Sequence, residues 1–224
     1  MIICYEAGAI EAMIRSMGTV SDVFLSNIAA ENNSQYNIRI TSEAGNTLDN
    51  VVLDNITATG ATDGAQGYGI FLESDPTGSM TNVLITNSTV TGNNVGILMN
   101  ADAATSTLTG VLITGSEIRT NVVGIQASDD AGAGNAASGN NIVGNGTGAS
   151  NLDPDDSFDA LSNYWGCAGG PGAGGCDTVS GDVLFDPWLT EETPAQVPGL
   201  GWYGMLLIAA FVGLRSIRHL RCQQ

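Results

Sequence analysis

The sequence predicts an all-β chain coiled into a parallel β-helix, with one hydrophobic helix after it. Three observations lead there. Four segments align at a near-constant step: "VSDVFLSNIAAEN", "LDNVVLDNITATG", "MTNVLITNSTVTG" and "LTGVLITGSEIRT" begin at Val20, Leu48, Met80 and Leu108. A second short strand recurs between them, anchored on Ile38, Ile70, Ile97 and Ile125. The intervening residues are Gly, Asn and Ser, with neither helical apolar spacing nor a hairpin dipeptide that would turn the chain back antiparallel. A unit this short cannot bury its inner face alone, but coiled on its neighbours it pairs each strand with its equivalent one turn away.

The inward residues are expected at Val23/Leu25, Val51/Leu53, Val83/Ile85 and Val111/Ile113. Asn27, Asn55 and Asn87, with Gly115 in the fourth repeat, are expected to stack at one turn, since Asn tolerates left-handed backbone and its amide can bond the Asn above and below. Asn-x-Ser/Thr triplets at Asn55, Asn87 and Asn145 also fit a glycosylation pattern, but a structural role explains Asn in this ladder region. Phe24, Val52, Leu84 and Leu112 should form an outward apolar stripe, covered by a loop from Ala131 to Ala160 or used for lateral association. Near the start, "AGAIEAMIRS" fits either an amphipathic helix or a partial first coil with Ile10 beneath Ile38. Glu6 and Glu11 interrupt any signal peptide there, and an export signal is expected upstream of Met1.

Charge narrows the partners. All 23 acidic residues precede position 193, whereas the chain has no lysine and only Arg15, Arg39 and Arg119 precede the tail. Nucleic acid is disfavoured, because phosphate contacts need Lys or Arg to displace counterions. Glu43, Asp75, Asp102 and Asp130 each stand five residues beyond a second-strand isoleucine. Coils about 4.8 Å apart would bring these carboxylates together. Calcium, held with Asp129 and nearby carbonyls, would relieve the repulsion; splaying into solvent is the alternative. Cys167 and Cys176 flank a glycine-rich spacer that can fold back to a disulfide in an exported protein, with free thiols as the alternative.

The repeats and their turns resemble right-handed parallel β-helix proteins of the pectin-lyase-like type over roughly residues 8–190. Enzymes of that fold commonly use a calcium-bound acidic sugar with Arg or Lys as base, which here leaves Arg39 and Arg119 as cationic candidates, or grouped aspartates. The stretch "NYWGCAGGPGAGGCDTVSGDVLFDPWL", Asn163 to Leu189, resembles the segment that follows β-helix turns in many bacterial exported proteins. Its Trp165 and Trp188 are expected to cover the open end of the core, with sugar stacking as the rival role.

The chain closes on "VPGLGWYGMLLIAAFVGLRSIRHLR". Residues 200–214 would make a helix about 22 Å long, ending in Arg215, Arg218 and Arg221, which orient it with the body outside. The motif Val197, Pro198, Gly199, Leu200, Trp202 and Gly204, then an apolar run and an arginine cluster, resembles the sorting signals that exosortase-type enzymes process in Gram-negative bacteria. That resemblance implies an inner-membrane intermediate and delivery to the cell surface or matrix. The expected organisation is coils over 1–162, a capping segment over 163–189, a linker over 190–199 and a membrane or sorting tail over 200–224. The expected function is noncatalytic polysaccharide binding or a matrix role, the alternative being a polysaccharide lyase or epimerase with catalytic coils upstream.

Overall fold

The computed structural model describes residues 12–16, 18–63 and 66–194, apart from the side chains of Ala12, Met13, Ile14, Ser16 and Asp129. Among the described residues the chain is a parallel β-solenoid with three walls. Wall A is a seven-stranded sheet of Ala12–Ser16, Tyr36–Ser42, Tyr68–Ser74, Val95–Ala101, Val123–Asp129, Thr147–Asn151 and Val179–Ser180, stacked in chain order. Walls B and C are the two halves of a ten-stranded sheet. Thr19–Glu31 and Thr47–Thr59 cross both halves unbroken, bending at the left-handed residues Asn27 and Asn55. Later coils divide there into pairs such as Ser79–Thr86 with Thr89–Thr91 and Thr107–Thr114 with Glu117–Arg119. All of these strand pairings are parallel, coil upon coil.

The expected inward columns form. Val23, Val51, Val83 and Val111 are in register and buried, as are Leu25, Leu53, Ile85 and Ile113. Ile38, Ile70, Ile97 and Ile125 line the core from wall A. The first coil is a strand rather than a helix, but its register differs from expectation. Ser16 and Thr19 are separated by two residues, Ser42 and Thr47 by four, so Ala12 rather than Ile10 stands opposite Ile38.

The segment from Ala131 to Ala160 is not a loop folded over the outer stripe. It supplies further coils, with Ala136–Ser138, Asn141–Val143, Thr147–Asn151 and Phe158–Asp159 all pairing in register. Two changes hide these coils in the sequence. The step falls to 24 residues, as from Glu117 to Asn141, and the apolar pair Leu112 (outward) and Ile113 (inward) is followed by Ala136 and Ala137. The stretch Asn163–Leu189 likewise continues the solenoid, with bridges from Asn141 to Tyr164 and on to Leu189. Trp165 is fully buried in the core and Trp188 packs partly against it, so Trp165 serves the cap and offers no sugar platform.

The corners hold the coils together. Asn27, Asn55, Asn87 and Gly115 are all left-handed, as expected. Asn55 Nδ2 donates to Asn27 Oδ1 at 2.8 Å, but Asn87 turns to Asp54 Oδ1 instead, also at 2.8 Å. The continuous ladders lie inside, one residue beyond a left-handed position. At the corner between walls C and A, the backbone N–H and the amide of Asn93 both donate to Asn121 Oδ1 at 3.0 Å, and those of Asn121 both donate to Asn145 Oδ1 at 3.0 Å. Asn145 donates to Asp177, whose carboxylate also accepts the Gly144 N–H at 2.8 Å. Asn145 is therefore buried inside the ladder and is no glycosylation acceptor.

Space for these amides comes from glycine. Gly69, Gly96, Gly124 and Gly148 stack on wall A beside the ladder, and a Cβ on Gly96 would lie 2.5 Å from Gly124 O and 2.9 Å from Asn121 Nδ2. In the first such coil Asn37 replaces the glycine. Its amide reaches Asn93 Oδ1 at 3.1 Å, filling the gap that Ala61 leaves in the ladder. A second ladder runs through Ser88, Ser116, Asn140 and Asn163 at the other corner.

The disulfide forms between Cys167 and Cys176. It fixes the segment just before Asp177, the last acceptor of the first ladder. Burial holds the Asp177 carboxyl above the usual range, while hydrogen bonds from Asn145 and Gly144 pull the other way.

These ladders rank the corner substitutions. Asn121→Ala orphans the buried N–H of Asn93, whose amide keeps the Ala58 and Thr91 carbonyls, and takes the amide donor from Asn145 Oδ1; it is expected to cost about 3 kcal/mol. Asn87→Ala, on the exposed row, should cost only about 1 kcal/mol, from the left-handed backbone. Urea unfolding with unchanged m-values reads the difference; equal costs would contradict an internal ladder that bears more of the stability than the outer one. Removing the disulfide with paired Ser substitutions is expected to cost about 2–3 kcal/mol, from the closed loop it releases.

Candidate functional site

On wall A the residues between the inward ones face outward and align into rows along the solenoid. Tyr36, Tyr68, Val95 and Val123 form one row; Arg39, Phe71, Leu98 and Gln126 form the next; Thr41, Glu73, Asn100 and Ser128 form the third. Phe71, Val95 and Leu98 are themselves buried and make a second apolar cluster, separate from the core, with the partly exposed Tyr36, Tyr68 and Val123 packed against it; Thr41 is buried as well. The aromatic rings stack at centroid distances of 5.6 Å for Tyr36–Tyr68, 5.3 Å for Tyr36–Phe71 and 5.1 Å for Tyr68–Phe71.

Arg39 is built into this patch. Its guanidinium lies 4.9 Å from the Tyr36 ring centre and 5.7 Å from that of Phe71, within cation–π range. Nη2 donates to Glu73 Oε2 at 2.5 Å, and Thr41 Oγ1 donates to the same oxygen at 3.3 Å. Burial works to lower the Arg39 pKa, but the hydrogen bond and charge of Glu73 outweigh it and hold the guanidinium protonated. Burial, helped by Glu73, pushes the Tyr68 hydroxyl above its ordinary range. The third row offers donors and acceptors, with Ser128 Oγ donating to Asn100 Oδ1 at 2.7 Å. The sequence offered Arg39 only as a cationic candidate; of its partners Tyr36 is on the same strand, while Phe71 and Glu73 sit one coil away.

The acidic column does assemble beside these rows. Ser42, Ser74, Ala101 and Asp129 are in register, so Glu43, Asp75, Asp102 and Asp130 follow at the same corner. The Asp75 N–H donates to Ser42 O at 2.9 Å and the Asp102 N–H to Ser74 O at 3.0 Å, carrying the backbone ladder into the turn. Burial raises the Asp75 pKa, and the charges of Glu73, Glu43 and Asp102 raise it further. Arg15 relieves part of this by pairing with Glu43 at 3.4 Å. The Asp129 side chain lies outside the described residues. Among those residues, no three of His, Cys, Asp and Glu converge to hold a metal ion.

Arg119 has a different task. It pairs with Glu117 at 2.5 Å and with Glu192 at 3.2 Å. Beside it, the Asn141 amide accepts from Thr193 N at 2.8 Å and donates to Thr193 O at 2.9 Å. The segment leaving the cap is thus strapped to wall C. Its partners are 52 and 73 positions apart, so no local pattern announces them.

On wall B, Phe24, Val52, Leu84 and Leu112 stand in register as an outer stripe, with Phe24 and Leu112 exposed. The sorting residues Val197, Pro198, Gly199, Leu200, Trp202, Gly204, Arg215, Arg218 and Arg221 lie outside the described residues, as does the expected carboxy-terminal helix. No helix among the described residues is long and apolar enough to cross a membrane.

The acidic column has a pH signature. Asp75 binds its proton more tightly folded than unfolded, so its favourable contribution is complete below the ordinary value of 3.8 and is lost as pH rises through the higher folded value. Asp75→Asn is expected to flatten that part of the stability curve and to raise the melting temperature at neutral pH. Melting from acid to neutral pH checks it; an unchanged slope would contradict the crowding of Glu43, Glu73, Asp75 and Asp102.

Comparison with known proteins finds no matching family, no matching curated protein and no matching solved structure.

Proposed function

We propose that this chain is an exported, noncatalytic β-solenoid that binds polysaccharide at a cell surface or in an extracellular matrix. The observation that carries the proposal is the outer face of wall A, where the partly exposed rings of Tyr36 and Tyr68, stacked on each other and on the buried Phe71, adjoin a row of partly exposed Glu73, Asn100 and Ser128. Apolar ring faces beside aligned hydrogen-bonding groups match the two surfaces of a sugar ring. Binding is favoured over a lyase or epimerase because Arg39 and Arg119 are both engaged by carboxylates. A base for proton abstraction has to be free to take the proton.

Delivery follows from the tail. The resemblance of Val197–Gly204, the apolar run and the three arginines to an exosortase-processed signal supports passage through the inner membrane of a Gram-negative bacterium. The coil pattern supports a right-handed, pectin-lyase-like form of the solenoid.

Affinity electrophoresis of the full chain through gels holding different soluble polysaccharides tests the binding. Retardation by at least one polymer, with no new reducing ends or unsaturated products, is expected. Cleavage or epimerisation that depends on Arg39 would overturn the noncatalytic reading. In a host with a matching sorting enzyme, replacing Arg215, Arg218 and Arg221 with Ser is expected to reduce processing. A full-length protein that stays uncut in the inner membrane would make the tail an ordinary anchor.

A further inference from the structure

We infer that the polymer bound on wall A is a linear, uncharged, hydroxyl-rich polysaccharide lying parallel to the solenoid axis. This rests on the polysaccharide-binding proposal and adds the ligand's charge class and orientation.

Orientation follows from the rows. Coils repeat every ~4.8 Å along the axis, so the partly exposed rings of Tyr36 and Tyr68 stand one coil apart, and the partly exposed Glu73, Asn100 and Ser128 continue alongside at that interval over three coils, whereas Val95 and Thr41 in the same rows are buried. A linear chain of rings with a similar repeat can place one ring per coil. A polymer laid across the wall would meet each row once.

Charge class follows from the pairing of every arginine with described side-chain contacts. Arg39 is bound to Glu73, Arg15 to Glu43, and Arg119 to Glu117 and Glu192. The chain has no lysine, so this face offers a polyanion no unpaired cation. The column of Glu43, Asp75, Asp102 and Asp130 borders the rows on one side, and its charges already crowd one another at Asp75. A polyuronate would add like charge beside that column at a Coulombic cost. Neutral hydroxyls would instead donate to Glu73, Asn100 and the bordering carboxylates, while ring faces meet Tyr36 and Tyr68.

The test uses the full chain in mild detergent with four probes: a soluble neutral glucan, a neutral galactomannan, polygalacturonate with and without millimolar calcium, and polyglucosamine. A neutral polymer is expected to bind with little dependence on salt. The Tyr36→Ala, Tyr68→Ala double variant should weaken that binding about tenfold. The matching Tyr→Phe double variant keeps the rings and should retain most of it, and Phe24→Ser on wall B should leave it unchanged. Tighter binding of polygalacturonate, with or without calcium, overturns the uncharged class while leaving polysaccharide binding in place. Polyglucosamine binding that collapses with salt does the same. Neutral binding that persists in a folded Ala double variant, judged by near-ultraviolet circular dichroism, overturns the site. Failure of every polymer to bind overturns the underlying proposal itself.

Discussion

Parallel stacking imposes one constraint on which everything else depends: the corner of each coil must lie over the corner of the next. A strand is satisfied on both edges only by its equivalents one turn away, so a corner that drifts would unpair whole strands. The left-handed positions at Asn27, Asn55, Asn87 and Gly115 repeat one bend from coil to coil. The buried amides of Asn93, Asn121 and Asn145 then bond the corners to one another and end on Asp177. Gly69, Gly96 and Gly124 lie beside them where a side chain would press on the amides of Asn93, Asn121 and Asn145, and at Gly148 it would press on Asp177 and the Trp165 ring. Asn37 shows the same rule from the other side, supplying an amide from the glycine column where the next coil has Ala61.

The parts of this legible in the sequence were those with a strong local contrast. Apolar triplets at a 28-residue step revealed the first coils and their inward columns, and the glycine-rich spacer revealed the disulfide. The later coils were not legible, because their core positions shrink to Ala137 and Ala149 and their step shortens. The outer asparagines drew attention because they precede apolar strands in repeat after repeat. The inner ladder changes residue type along its length, from Ala61 through three asparagines to an aspartate, and so repeats one letter over only three coils at unequal steps. Its members are recognisable only once left-handed Gly60, Gly92, Thr120 and Gly144 are seen to precede Ala61, Asn93, Asn121 and Asn145.

The same registry that builds the core also builds the outer surface. Outward residues cannot help forming rows, and their chemistry differs from wall to wall: aromatic and polar on wall A, apolar on wall B, and a strapped exit segment on wall C. Neutralised arginines recur across these surfaces. Arg39 is the most enclosed of them, and its partners Glu73, Tyr36 and Phe71 make it part of a platform rather than a free charge. An acidic protein with such a platform is suited to hydroxyl-rich partners that bring no charge of their own.

Hydrogen–deuterium exchange of the full chain, with and without a saturating neutral glucan, tests this account most directly, because it reads where a polymer lies as well as whether it binds. The account predicts added protection in Tyr36–Ser42, Tyr68–Ser74 and Val95–Ala101, on consecutive coils of one wall, with walls B and C unchanged. Protection centred on Phe24, Leu84 and Leu112, or confined to a single coil, would contradict it.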